Sequence, residues 1–467
     1  MSVDPGVQEI VIDEDVNNVL HSGALRERLQ DESLGEGTIT LIIRDPNITI
    51  IGDLNLDWDD KEEAPLFGCK SLLRVDLKGC TKLTQLGYAV FRWCSSLTSV
   101  ALPDRLTQLG NIVFQGCSSL TSVALPDGLT QLGGGAFYGC SSLTSVALPD
   151  GLTQLGKCVF YGCSSLTSVA IPDGVTQLGG GAFYGCSSLT SVALPDGVTQ
   201  IGNNVFYGCS SLTSVSLPDG LTQLGDYVFA WCSSLSSVSL PDGLTQLGDR
   251  VFNECSSLTS VSLPDGLTQL GDYVFQNCFS LTSVSLPDGL TQLGDRVFRG
   301  CTSLTSVSLP DGVTQLGDDV FMGCSSLTNV TLPEGLTQLG DQVFYECSSL
   351  TRVSLPDGLT NLYNDVFDKC SSLTSLANSA GFSDVVSYLR DRYKCVTLRK
   401  LFLRLLGQYN KAVNEANGNE AEKHAIALVY FPTDNSSTLD VRLFLQTMNA
   451  YGGDGVKGLV GYILKFV

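Results

Sequence analysis

Cysteine is the residue best equipped for chemistry in this chain, and its spacing is fixed. Cys94, Cys117, Cys140, Cys163 and their successors to Cys370 stand 23 residues apart, thirteen cysteines in one register. Thiols in such a ladder could ligate a metal, relay electrons or form disulfides. Each of them, however, occupies the same place in its repeat, beside Phe and Leu, where a thiol packs as a small hydrophobe. The N-terminus, MSVDPGVQEIVIDEDV, has no basic stretch followed by an apolar one, so no secretory signal is read and the 17 cysteines are expected to be reduced and buried. Cys158 falls outside the register, between Lys157 and Val159, and is the candidate exposed thiol.

Other reactive constellations are weaker. The chain has two histidines, His21 and His424, and neither has Cys, His or Asp around it at ligand spacing, so no zinc site and no Ser-His-Asp machinery are assigned. Asp226, Asp249, Asp272, Asp295, Asp318 and Asp341 form a column one residue after a recurring Leu-Gly. Stacked carboxylates could collect calcium, but one per repeat is sparser than a calcium loop, and solvated turns are the simpler reading. No glycine-rich phosphate loop with a lysine is present. The expectation is no catalytic residue, no metal and no cofactor.

Residues suited to holding a partner are easier to name. Tyr138, Tyr161, Tyr184 and Tyr207 recur on consecutive repeats, and Tyr227, Trp231, Arg250, Tyr273, Arg296 and Arg299 continue nearby. Tyr, Trp and Arg dominate selective protein interfaces, so these ten residues form the candidate partner-binding ridge. Neutral drift at tolerant surface positions explains the same columns equally well.

The elements that must position these residues follow from one representative unit, CSSLTSVSLPDGLTQLGDYVFAW, which starts at Cys209. Leu212, Val215 and Leu217 follow an L-x-x-V-x-L spacing that sends Val215 and Leu217 to one side of a short strand and Ser216 to the other. Pro218, Asp219 and Gly220 read as a tight turn. Leu221 and Leu224 then face inward, and after Gly225 the pair Val228 and Phe229 returns to the core before Cys232 opens the next coil. A single coil cannot bury about eight apolar side chains alone, so coils must stack, with parallel strands about 4.8 Å apart. Some fourteen to sixteen coils would make a rod roughly 70 Å long.

The consensus F-x-x-C-x-S-L-x-x-V-x-L-P-x-G-[LV]-T-x-[LI]-G resembles the BspA-like class of leucine-rich repeats. The resemblance covers roughly residues 67–376 and includes twelve consecutive P-[DE]-x turns from Pro103 to Pro356. It implies a right-handed α/β solenoid with short parallel strands, a role in protein binding or adhesion, and no catalytic chemistry.

A solenoid needs atypical ends, because its terminal apolar faces would otherwise meet water. Val7, Ile10, Ile12, Val16 and Val19 share the relative spacing of Leu97, Val100, Leu102, Leu106 and Leu109, and Leu41, Ile43, Ile48 and Ile51 repeat it. Residues 1–66 are thus expected to be divergent N-terminal capping repeats, with the acidic stretch from Asp57 as a loop. Residues 67–376 would form the solenoid and 377–467 a helical C-terminal domain. In that last segment Val385, Val386, Leu389, Tyr393, Leu398, Leu401, Phe402, Leu405 and Leu406 fall at helical spacing, with Ser383 as the N-cap. Its basic residues Arg390, Arg392, Lys394, Arg399, Lys400 and Arg404 read as the solvated face of a cap.

Charge bounds the partners. The formal net charge is −21, made of −24 on residues 1–376 and +3 on 377–467, so a phosphate backbone or an anionic lipid surface would be repelled. No 18-residue apolar run that could span a membrane is visible. The sequence therefore reads as a non-catalytic, cytoplasmic protein-binding or scaffolding solenoid with a protein partner. A cell-surface or secreted adhesin is the alternative. A third is an ice-binding array on the outward columns of Ser99, Ser122 and Ser145 beside Ala101 to Ala193 and Ser216 to Ser308, although threonine pairs would be expected there.

Overall fold

In the computed structural model, residues 7–12, 19–20, 38–52, 66, 68–356, 358–359, 362 and 364–392 are described. The chain divides into two compact units, 1–391 and 392–467. The first is a parallel-strand solenoid. His21, the loop from Asp57, His424 and the segment from Tyr393 onward, with its expected helices and basic residues, lie outside the described residues.

Each coil contributes two short strands. In the coil that begins at Cys209, Ser214–Ser216 exposes both serines and buries Val215, as the alternation predicts. Leu221 donates its N–H to Pro218 O across the turn at 3.1 Å. The second strand, Gln223–Leu224, exposes the glutamine and buries the leucine. Sequence reading missed this strand because two residues have no detectable period. It forms because Gln223 and Leu224 pair with Gln200 and Ile201 on one side and with Gln246 and Leu247 on the other. Identical positions of successive 23-residue coils face each other, so a slip of one residue would turn every core side chain outward.

The third side of the coil has no named strand but is equally knitted. Tyr227, Phe229 and Trp231 donate their N–H groups to Asp249, Val251 and Asn253 of the following coil at 2.8–2.9 Å. Threonine hydroxyls add rungs, as when Thr213 Oγ1 donates to Thr190 O at 3.2 Å. Polar backbone that a single coil leaves unpaired is thereby satisfied by its neighbours.

Down the centre, the phenylalanines from Phe91 to Phe367 stack with ring centroids 5.4–5.7 Å apart. The ladder cysteines lie beside them, fully buried and unbridged. Cys232 Sγ donates to Phe206 O, 26 residues earlier, at 3.1 Å, and the same bond recurs along the ladder. A side chain there must be small, apolar and a weak donor, which is a description of cysteine.

The ends depart from the pattern as a solenoid requires. Val7–Ile12 pairs in parallel with Thr38–Ile43, so the coil pattern extends to the N-terminal region. One detail differs from the spacing argument: Val19 lies opposite Ile50, and Leu20 opposite Ile51 takes the column assigned to Val19. At the other end, helix α1 (Ser371–Ser379) replaces the strand of its coil and buries Leu373 and Ala377. A second helix, α2, over 385–392, buries Val386 and Leu389. Its N-cap is Asp384 rather than Ser383, for Asp384 Oδ1 accepts the N–H of Ser387 at 2.7 Å.

Candidate binding surface

The structure assembles the tyrosines and arginines of the candidate ridge into one continuous ladder. Tyr138, Tyr161, Tyr184 and Tyr207 stack face to face with centroids 4.3–4.5 Å apart and planes within 7°. Tyr207 then meets Tyr227 at 6.3 Å with the rings tilted by 53°. From there aromatic and cation alternate. The Arg250 guanidinium lies 5.2 Å from the ring centre of Tyr227 and 4.0 Å from that of Tyr273, and Arg296 lies 5.2 Å from Tyr273. Arg250 Nη1 also donates to the Tyr227 hydroxyl at 2.6 Å, and Arg296 Nη1 to that of Tyr273. Trp231 stands apart from the ladder, half exposed at 50%.

A residue not singled out from sequence completes the ladder. Asp319, only 8% exposed, accepts from Arg296 Nε at 2.8 Å, and Arg299 Nη1 lies 3.7 Å from the same oxygen. The bond to Asp319, reinforced by the Tyr273 hydroxyl, raises the affinity of Arg296 for its proton. Burial first, then the neighbours Tyr184 and Tyr138, push the Tyr161 phenol up to about 12. Tyr161 is thus held neutral and Arg296 cationic, in a row whose contacts are stacking and hydrogen bonding.

Backbone strain marks the same places. Tyr227, Arg250, Tyr273 and Arg296 have φ of 57–60°, in the left-handed region that glycine tolerates best. Two other coils place glycine there, at Gly135 and Gly181, while Ala89, Ile112, Cys158, Asn204, Asp319 and Gln342 share the left-handed backbone. Each large side chain costs about 1 kcal/mol of backbone strain, which the cation–π contacts partly offset.

The aspartate column has a structural task. Asp226 Oδ1 accepts the N–H of Asp249, Asp249 that of Asp272, and Asp272 that of Asp295, at 2.9–3.0 Å. Asn203 does the same for Asp226 at 3.0 Å, which shows that the acceptor rather than the charge is required. Among the described residues no group of three or more His, Cys, Asp or Glu is placed to hold a metal ion. Asp272→Ala is expected to lower stability by about 1–2 kcal/mol and Asp272→Asn to stay within about 0.5 kcal/mol of wild type. Denaturant titration with and without a chelator checks both, because a chelator that destabilises the wild type would restore the calcium reading.

Beside these aspartates runs a trough of about 670 Å³ whose lining includes Gln200, Gln223, Gln246, Asn203, Asp226 and Asp249. The glutamine column had not been singled out. Its signal, a glutamine preceding an inward leucine or isoleucine, is visible only once the second strand is known. Cys158 is half buried, and burial raises its pKa against the opposing pull of Lys157, so the thiol is poorly suited to be a nucleophile. Cys69 is equally half buried.

The repeats match a family description, the BspA type leucine rich repeat region, over residues 84–210, 176–305 and 291–390. The chain belongs to the BspA-type leucine-rich-repeat family. A leucine-rich repeat protein from Bacteroides ovatus is similar at 30% identity, covering 70% of this chain and 81% of its own, with a TM-score of 0.63. A leucine rich cell surface protein from Faecalibacterium prausnitzii shares 22% identity over 78% of this chain and 90% of its own, with a TM-score of 0.45. The leucine-rich repeat protein of T. pallidum shares 35% identity over 34% of this chain and 78% of its own, with a TM-score of 0.33. No curated protein sequence matches.

Leucine-rich-repeat proteins are generally non-catalytic, and selectivity must lie where coils differ. The positions that repeat from coil to coil make the core and the exposed serine face. Among the described residues no helix is long and apolar enough to cross a membrane.

Proposed function

We propose that this chain is a non-catalytic protein-binding solenoid whose partner docks along the Tyr227–Arg299 part of the ladder. One observation carries the reading. Four consecutive coils place Tyr and Arg alternately at one left-handed position and stack them into a half-buried row. The row is also pre-ordered, so a partner would meet aromatic and guanidinium anchors whose entropy is already spent. The reading places the protein inside the cell, where its many thiols would stay reduced. Display at the cell surface is the alternative, and labelling of intact cells with an impermeant reagent separates the two.

The substitution that tests the ridge is the one the repeat itself tolerates. Tyr227→Gly/Arg250→Gly/Tyr273→Gly/Arg296→Gly gives these coils the residue found at Gly135 and Gly181, and is expected to leave the melting behaviour close to wild type. Proteins captured by the immobilised full chain should bind this variant at least about thirtyfold more weakly. A control, Ser214→Arg/Ser260→Arg on the serine face, should bind as wild type. An unchanged set of partners on the ladder variant would sink the proposal.

A further inference from the structure

Two tryptophans, Trp93 and Trp231, are exposed at 46% and 50%, the most open aromatic side chains among the described residues. They occupy the same coil position, six repeats apart on one column, about 29 Å at the pitch of parallel strands. Between them that position holds five glycines, from Gly116 to Gly208, all with φ of 68–74°. A Cβ on Gly139 would meet only the backbone of Gly116, so nothing stands above this track. The benzene half of the Trp93 indole lies against Gly116 at its near end.

The walls of the track are neutral. The residue before each of the last four glycines is Tyr138, Tyr161, Tyr184 or Tyr207, the stacked half of the ladder. On the other side runs a row of serines in which Ser141 Oγ donates to Ser118 O and Ser164 Oγ to Ser141 O, at 3.3–3.4 Å. Each serine has thus spent its proton on the backbone and keeps oxygen lone pairs to accept with. In a chain of net charge −21, the segments running from each of these glycines through its two serines contain no ionisable side chain other than the buried ladder cysteine.

One polar atom within this strip lacks a partner. Gln115 stands in the tyrosine column immediately before Gly116, is 8% exposed, and its Oε1 accepts no hydrogen bond. An unsatisfied buried amide oxygen is costly, and a donor hydroxyl reaching past the Trp93 ring would satisfy it.

From these features we infer that the strip between Trp93 and Trp231 binds a neutral, linear polysaccharide. Pyranose rings present flat C–H faces to exposed aromatics, and their hydroxyls donate to acceptor rows such as the serines and Gln115. Arg92 stands beside Trp93 at one end, but from Gly116 to Gly208 the track carries no charge, which disfavours polyanions and polycations alike. A protein partner would want anchors in the middle of the patch, where this one has glycine. The inference is independent of the protein-docking reading, which uses Tyr227 to Arg299.

The probes are soluble linear oligosaccharides of β-linked glucose and of β-linked N-acetylglucosamine, with heparin as a charged control, titrated into the full chain while tryptophan fluorescence is followed. Saturable binding of a neutral oligosaccharide with a blue shift is expected. Trp93→Gly/Trp231→Gly, which installs the residue of the five intervening coils, should weaken it about tenfold or more, as loss of aromatic anchors does. Isothermal titration reads the variant, since both reporting tryptophans are removed and Trp58 remains. Tyr227→Gly/Arg250→Gly/Tyr273→Gly/Arg296→Gly should bind sugar as wild type, which separates this site from the protein-docking one. No binding of either neutral series, binding unchanged in the tryptophan variant, or binding of heparin alone would each overturn the assignment.

Discussion

Raising the pH above 9 is expected to unfold this solenoid abruptly, and the buried thiols are the cause. Fourteen cysteines among the described residues are buried and unbridged. Desolvation pushes Cys80, Cys186 and Cys370 up to about 12 from an ordinary value of 9.0. Others, such as Cys209 and Cys232, move in the same direction for the same first cause. A thiol whose folded pKa is raised keeps its proton in the native state while the unfolded chain loses it. Stability is therefore unaffected below pH 9 and falls as pH rises from 9 through the folded values. Each such thiol costs about 1.4 kcal/mol per pH unit in that window, so the ladder together costs on the order of 20 kcal/mol per unit. That exceeds the roughly 5–15 kcal/mol that hold a typical domain together. The Tyr161 phenol, also raised to about 12, adds a slope of the same sign above pH 10.

Circular dichroism and thiolate absorbance, followed together, should change in one transition between about pH 9.5 and 11. At neutral pH a thiol reagent should leave the ladder unmodified in the folded protein and reach it only on unfolding. The variant Cys209→Ala/Cys232→Ala/Cys255→Ala should reduce the pH slope of stability by about 4 kcal/mol per unit. Thiolates titrating near pH 9 with the fold intact would show that the ladder is not buried.

How far the sequence speaks depends on whether a residue's role is set within its own coil. The period, the inward Leu212, Val215 and Phe229 and the turn at Pro218 are local properties, repeated often enough to be beyond doubt. The Gln223–Leu224 strand exists only through its pairing with Gln200 and Gln246, so no single coil announces it. Asp319 was legible in principle. The position five before each cysteine reads Tyr227, Arg250, Tyr273, Arg296 and Asp319 on successive coils, so the counter-charge follows the last arginine of the series. Likewise Gly135 and Gly181, in the same column as Tyr227, announce a left-handed backbone that a list of exposed aromatics conceals. The N-cap was missed by one residue because serine and aspartate both cap, and only the bond from Ser387 to Asp384 decides between them.

The second large effect concerns the phenylalanine stack, where the cost of a cavity should depend on its place in the column. Phe229 is fully buried between Phe206 at 5.6 Å and Phe252 at 5.7 Å. Phe229→Ala removes ring contacts on both sides and leaves a void that adjacent coils cannot close, because their backbones are fixed in register by the hydrogen-bond ladders. A loss of about 3–5 kcal/mol is expected. In a solenoid each coil is stabilised chiefly by its neighbours, so the lesion also weakens the coupling between the two halves. Denaturant unfolding of Phe229→Ala should therefore broaden or split into two steps, and hydrogen exchange should accelerate first in the coils beside the void. Phe367, which stacks on Phe344 alone at 5.6 Å, provides the contrast. Phe367→Ala should cost less and keep a single transition, since an end coil frays without dividing the column. Equal losses and single transitions for both variants would mean that the stack fills space without transmitting stability. The coils would then be coupled by their backbone ladders alone.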